Sequence, residues 1–278
     1  MKKIFYSAGL ALLLTGSIVS CKKAPVDDVN ANALTQGEKD LIVSAGFNGN
    51  WAERTADGSY LIEGDILLTT TQLQELVGVT SHEFVVANEE HFRTTNVVSL
   101  PSSGQRTITV RLSSGFPSYY STGLDQALAR YNNLNLRIRF QRVTTGGNIV
   151  ISAANLGTSG GGCILGQASG FPSSSGNPSP GFTLSTNSCA ISYLSTANKA
   201  DEVMAHEIGH CIGFRHTDYM NRSSCGQNSN EGSAGVGAIQ IPGTPGTVTG
   251  TYNSWMMACT NGNPAFGSAD GTALNYVY

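Results

Sequence analysis

His206, His210 and His216 stand in one frame, with Glu207 directly after the first and Gly213 between the last two. No other stretch constrains the fold as tightly. On a helix four residues turn through about 400°, so His206 and His210 lie on one face, one turn apart. Two imidazoles so placed can reach a single zinc ion at about 2.0–2.1 Å. Glu207 is rotated about 100° from His206, beside such an ion rather than on it. Gly213 supplies the left-handed residue that ends a helix and turns the chain sharply, returning His216 as a third ligand. Three neutral imidazoles leave the ion its full charge and an open position. A water held there has its pKa lowered towards about 7, and a carbonyl would be polarised. The spacing therefore predicts metal-assisted hydrolysis with one catalytic Zn²⁺: a zinc-held water attacks a scissile carbonyl. Glu207 acts as general base and then passes the proton to the leaving amine. Only five histidines occur in the chain and three fall in this frame. The competing reading is a helix with incidental surface histidines.

The remainder suits an exported protein. Charged residues make up 13% and glycine accounts for 33 residues, a composition of turns and loops. Net charge is −3 with no basic stripe, which argues against a nucleic-acid partner. Lys2 and Lys3 precede an apolar run from Ile4 to Leu14 that is short for a membrane span. Ile18-Val19-Ser20-Cys21 resembles a bacterial lipobox, which implies cleavage before Cys21 and acylation of that residue. The expected location is then the cell envelope, through a lipid anchor at Cys21. An ordinary secretory signal is the alternative. Residues 1–20 read as signal peptide, 21–34 as tether, 35–103 as an N-terminal unit or pro-segment, and 104–278 as the catalytic domain.

Five further cysteines lie in the last 120 residues or so, where an oxidising compartment permits disulfides. Cys163 with Cys189 would close a Gly/Ser/Pro-rich loop, and Cys225 with Cys259 would tie the segment after His216 to a later Met segment. Cys211 would stay a free thiol. Cys211 with Cys225 competes, and spacing alone leaves the pairing open.

Thr35 and Glu38 have capping-box spacing. Residues 60–62 and 66–68 read as strands flanking Gly64-Asp65. Residues 107–112 and 136–140 alternate as half-buried strands do, and residues 148–151 are another strand candidate. Between the first two lies a helix opened by Ser121 or Thr122, with a stripe of Leu124, Leu128 and Tyr131. Ile164-Leu165 and residues 191–194 read as strands. Asn198 is the expected cap of the histidine helix, and Ser268 or Asp270 starts a terminal helix. The fold class is α+β: a mixed twisted sheet, an active-site helix and a C-terminal lobe of loop closed by one helix.

The run from His206 to His216 resembles the zinc signature of the metzincin peptidases. Its wording with Thr217-Asp218 looks closest to the bacterial dual-action HEIGH metallopeptidases. The resemblance covers roughly residues 104–278. Ser254-Trp255-Met256-Met257 is similar to the metzincin Met-turn, a register that assigns Met256 to the position beneath the metal. Residues 166–172 resemble the edge strand and loop that line the metzincin cleft, and residues 270–278 the last helix. The resemblance implies a zinc endopeptidase acting on extended protein or peptide segments laid along that edge strand. Astacins and serralysins carry a Tyr two residues past the Met; here Ala258 stands there. Asp218 either orients a ligand imidazole or caps a turn.

Ile62-Glu63-Gly64-Asp65 resembles the Phe-x-Gly-Asp segment of astacin pro-peptides, in which the Asp sits on the zinc. Asp65 is the candidate zinc ligand of a latent form; an ordinary hairpin turn is the other reading. His82 and His91 read as structural. Cleavage near Arg93 or Arg106 would release a mature enzyme from its anchor. The alternatives are a zinc hydrolase acting on cell-wall amides, or a non-catalytic zinc-binding surface lipoprotein. Glu207 argues against the latter, and the low-charge loop 157–190 favours an extended peptide over a small molecule.

Overall fold

Thr35 opens the first helix of the computed structural model, which describes residues 33–77, 91–159, 162–232, 236–244, 254–260, 262 and 265–278. Cys21, His82 and the residues read as signal peptide lie outside the described residues. In α1 (Gln36–Ser44) the Thr35 hydroxyl accepts from the Glu38 N–H, and the Glu38 carboxylate accepts from the Thr35 N–H at 2.8 Å. Strands β1 (Ala52–Arg54), β2 (Tyr60–Ile62) and β3 (Ile66–Leu68) follow as an antiparallel set, then α2 (Thr70–Leu76). After β4 (Phe92–Arg93) come β5 (Arg106–Leu112), α3 (Ser118–Asn132), β6 (Ile138–Val143) and β7 (Ile149–Ala154). A short hairpin, β8 (Thr158–Ser159) and β9 (Gly162–Cys163), leads to β10 (Gly166–Ala168) and β11 (Gly181–Ser185). Helices α4 (Ser188–Tyr193) and α5 (Ala197–Ile212), strand β12 (Ile239–Gln240) and α6 (Ser268–Val277) complete the chain.

Eight strands form one mixed sheet in the order β1-β2-β3-β10-β11-β7-β5-β6. Strands β5, β6, β7 and β11 are parallel; β10 runs antiparallel to β11 and parallel to β3. Leu124, Leu128 and Tyr131 of α3 share one core with Met204 and Ile208 of α5 and Ile108 and Val110 of β5. A second, smaller core gathers Ile42, Phe47, Tyr60, Ile62, Ile66 and Leu73 with Val236. The α+β architecture is the expected one: a mixed sheet, an active-site helix and a C-terminal part that ends in one helix.

Several local expectations are corrected. Helix α3 starts at Ser118 behind Pro117, not at Ser121 or Thr122. Proline has no N–H to leave unpaired, and its fixed φ suits helix entry. Helix α5 is capped by Thr196, whose hydroxyl accepts from the Lys199 N–H at 3.3 Å, and Asn198 sits inside its first turn. Residues 191–194 are not a strand. Asn187 caps α4 by accepting from the Cys189 N–H at 3.1 Å, and a side-chain cap outweighs a four-residue alternation. Ile164-Leu165 link β9 to β10, so the strand lies at Gly166–Ala168.

Cys163–Cys189 and Cys225–Cys259 are disulfides with S–S distances of 2.07 and 2.09 Å, and Cys211 is a buried free thiol. Residues 91–98 are woven into the larger core. Phe92 O accepts from Arg215 N at 2.9 Å, Gly213 O accepts from Thr94 N at 2.8 Å, and Val98 N donates to the Tyr278 hydroxyl at 3.1 Å. Arg93 pairs across β4–β12 and Arg106 is the first residue of β5, so both expected cleavage positions lie within strands. Among the described residues no helix is long and apolar enough to cross a membrane.

Candidate metal centre

Helix α5 carries His206 and His210 and ends at Gly213, which has φ 107°. A side chain is strained there, and the left-handed turn sends the chain back so that His216 faces the other two rings. Each ring turns its Nδ1 away from the centre. His206 Nδ1 lies 2.8 Å from Trp255 O, His210 Nδ1 2.9 Å from Phe214 O, and His216 Nδ1 2.9 Å from Glu231 Oε1. A carbonyl only accepts, so Nδ1 carries the proton in the first two, and in the neutral rings Nε2 presents a lone pair.

The three Nε2 atoms converge with Asp65 Oδ2. His206 and His210 Nε2 are 3.1 Å apart, and Asp65 Oδ2 lies 3.3, 3.4 and 2.7 Å from His206, His210 and His216 in turn. Tetrahedral ligands at about 2.0–2.1 Å from one ion stand about 3.3 Å from each other. Facing lone pairs repel unless a cation lies between them. Asp65 Oδ1 is buried without a hydrogen-bond partner among the described residues. The donor set of three imidazoles and a carboxylate therefore fits a zinc-type ion. Burial pushes His210 down to about 4. For His216 burial acts in the same direction, but the Asp65 and Glu231 carboxylates outweigh it and raise its pKa well above the usual imidazole range. Burial would raise Asp65, yet the charges and hydrogen bonds of the imidazoles hold it well below the usual carboxylate range.

Glu207 lies beside this cluster and is 2% exposed. A Cβ on Gly166 would stand 2.3 Å from Glu207 Oε1, so a side chain there would push the carboxylate from its place. Glu207 Oε2 is buried with no hydrogen-bond partner among the described residues. Burial and the nearby Asp65 carboxylate raise its pKa well above the usual range. Such a group readily holds a proton.

Met256 is fully buried against the helix, where a Cβ on Gly209 would meet its sulfur at 2.3 Å. The turn that holds it also holds the first ligand, because Trp255 O receives His206 Nδ1–H. Trp255 Nε1 in turn donates to the Tyr131 hydroxyl at 2.9 Å. His91, read as structural from sequence, is buried, with Nε2 2.6 Å from Asp270 Oδ1 and 3.2 Å from Ser254 Oγ. Asp218 takes the turn-capping role of the two open to it. Its oxygens accept from Ser224 N and Ala258 N, each at 2.9 Å.

The residue that meets His216 is Glu231, which the sequence reading missed. It is 15 positions away on a loop, where no spacing rule applies. The available signal was its isolation: it is the sole charged residue between Arg222 and Asp270. Glu231, Arg222, Arg215 and Glu63 form a buried charge cluster, with Arg222 bonded to Glu231 and Arg215 to Glu63. Glu63 and Glu231 also lie near His216, and each of the two carboxylates is paired with an arginine.

A cleft of roughly 650 Å³ opens beside His206 and Glu207, with Cys163, Cys225 and Cys259 among its walls. Ala258 also lines it, where a phenol would stand in astacins.

The sequence matches the dual-action HEIGH metallo-peptidase family over residues 60–278. No curated protein matches the chain. Among solved structures it is similar to myroilysin, with 16% identity, a TM-score of 0.36, and coverage of 72% of this chain and 99% of that one. A second myroilysin structure gives 17%, 0.37, 66% and 97% in the same order. High choriolytic enzyme 1, a hatching enzyme zinc-protease of the medaka Oryzias latipes, gives 18%, 0.36, 65% and 93%. Matched over most of its length, the chain belongs to the dual-action HEIGH metallo-peptidases and with them to the metal-dependent peptide hydrolases.

Proposed function

We propose that the chain is a zinc endopeptidase whose residues 33–77 hold it latent, with Asp65 as the fourth ligand. The convergence of Asp65 Oδ2 and three imidazole Nε2 atoms carries this reading. His206, His210 and His216 would hold the ion. When bound, zinc would supply Lewis acidity towards a carbonyl and would lower the pKa of water towards about 7.

The side chains around it do the rest. Glu207 accepts a proton from the attacking water and delivers it to the leaving amine. Strand β10 is the natural seat for an extended peptide, through main-chain hydrogen bonds at the sheet edge. In the latent form that seat is taken: Ala168 N donates to Asp65 O at 2.7 Å, and Ile66 pairs with Ala168. The segment 62–66 thus blocks both the fourth ligand position and the peptide track. Residues 33–77 supply most of the smaller core, which Val236 and Phe171 join from the rest of the chain, and none of the residues of the larger one. Residues 91–98 would remain with the catalytic body. Export and a lipid anchor at Cys21 are part of the same proposal and rest on residues 2–21 alone.

Incubating zinc-loaded protein, before and after limited proteolysis, with casein and with cell-wall material tests the reading. Casein cleavage that rises on proteolysis and vanishes on chelation is expected. Release of cell-wall fragments with casein untouched would favour the amide-hydrolase alternative. Chelator-insensitive activity would refute both.

A further inference from the structure

We infer that Glu231 is a positioning residue for the metal, acting through His216; the inference rests on the reading that His216 Nε2 is a metal ligand. His216 is the one histidine of the three that α5 does not carry. The helix fixes the directions of His206 and His210, and neutral main-chain carbonyls complete their orientation. His216 lies three residues beyond the turn at Gly213, and there the side chain of Glu231 supplies the orientation.

Both Glu231 oxygens face one ring nitrogen: His216 Nδ1 is 2.9 Å from Oε1 and 3.1 Å from Oε2. This commits the Nδ1 proton to the carboxylate and leaves the lone pair on Nε2, aimed at the cluster. A carboxylate behind an imidazole also raises its basicity as a ligand. Glu231 is itself held on several sides. Arg222 donates to Oε1, and Arg215 Nη2 lies 4.0 Å from Oε2. Its own N–H donates to Tyr219 O at 2.9 Å, and its carbonyl accepts from Asn48 N at 3.0 Å. The side chain is fully buried. A buried ion pair gives little net stability, because desolvation offsets the attraction. The aim of the carboxylate at Nδ1 is therefore the feature that needs a cause, and positioning the third ligand provides one.

The test compares zinc affinity, by competition with a chromophoric chelator, in the full chain and its Glu231→Gln and Glu231→Met variants. Both replacements match glutamate in length. Met can accept nothing useful from Nδ1–H and is expected to weaken zinc binding about 10–100-fold. Gln keeps an acceptor oxygen and is expected to stay within about tenfold of the parent. The visible spectrum of the cobalt(II)-loaded chain should change in Glu231→Met and persist in Glu231→Gln. Should the Met variant not fold, Glu231→Ala carries the same comparison. Metal-free melting temperatures separate the alternatives. A glutamate that only neutralises buried arginines would lower them in both variants while zinc affinity and cobalt spectrum stay at parent values, and that result overturns the inference alone. A well-folded parent that takes up neither ion overturns the metal reading, and the inference with it.

Discussion

Asp65 Oδ2 stands 2.7 Å from His216 Nε2 although 151 positions separate the two residues. The turn between β2 and β3 makes this possible. Glu63 has φ 57° and Gly64 φ 90°, so two successive left-handed residues send the Glu63 side chain back to Arg215 and the Asp65 side chain forward to the imidazoles. Asp65→Ala in the full chain should therefore raise peptidase activity about tenfold or more, the equivalent of losing a contact of about 1.4 kcal/mol. Glu63→Gln should raise it by less, since it loosens the turn without emptying the ligand position. Casein hydrolysis reads both. Parent-like activity in the Asp65 variant would remove the carboxylate from the latency and leave it to the main chain laid over β10.

Glu207→Gln in an Asp65→Ala background should keep its zinc and lose about 10²–10⁴-fold in kcat, because the amide cannot take a proton from water. Metal analysis and turnover on the same preparation check it. A variant with bound zinc and undiminished turnover would remove Glu207 from the chemistry.

The same residue gives the metal-free protein a pH dependence. The folded pKa of Glu207 is raised above its unfolded value. Its contribution is thus fully present below the unfolded pKa of about 4.3 and is lost as pH rises through the folded pKa, where an ionised carboxylate must stay buried. Glu207→Gln has no such loss. After chelation, the variant should melt close to the parent at pH 4 and above it at pH 8, with a gap that widens as pH rises. Calorimetry at the two pH values decides, and a constant gap contradicts the linkage.

Much of the centre was legible because its residues sit on one element or next to one turn. The i, i+4 spacing fixes the directions of His206 and His210, Gly213 fixes the turn to His216, and Ser254-Trp255-Met256 is contiguous. Asp65 was legible only through the resemblance of Ile62-Glu63-Gly64-Asp65 to a pro-peptide segment, since Gly64-Asp65 alone reads equally as a hairpin turn. Glu231 was not, since a loop residue has no periodicity to announce where it points. Residues 191–194 misled for a related reason. Alternation over four residues is weak evidence, and the Asn187 cap and the Cys163–Cys189 bond lie outside that window. The starts of α3 and α5 were misread by a few residues because several capping side chains compete near each helix start, and geometry picks one.

Gly209 offers a test of the floor beneath the metal. A methyl group there would press on the Met256 sulfur, so Gly209→Ala should cost about 1–3 kcal/mol through overpacking. Met256→Ala should cost about 2–5 kcal/mol by leaving a cavity. The pair should not add: the methyl introduced on the helix fills space that the shortened Met256 side chain vacates, so the double variant should be more stable than the sum of the two. Denaturant unfolding of the parent, both single variants and the double variant measures the coupling, and strict additivity would mean that Met256 does not press on the helix at Gly209.

Strand β3 covers the rim of β10. Were residues 33–77 to leave, that rim would keep its unpaired amides and carbonyls with nothing alongside, and such a rim draws any extended chain, whether prey or a neighbouring copy. One hazard is thereby exchanged for another: the step that frees the enzyme to bind its meal also uncovers its best surface for sticking to itself. Dilution would then serve the freed enzyme as much as stability does.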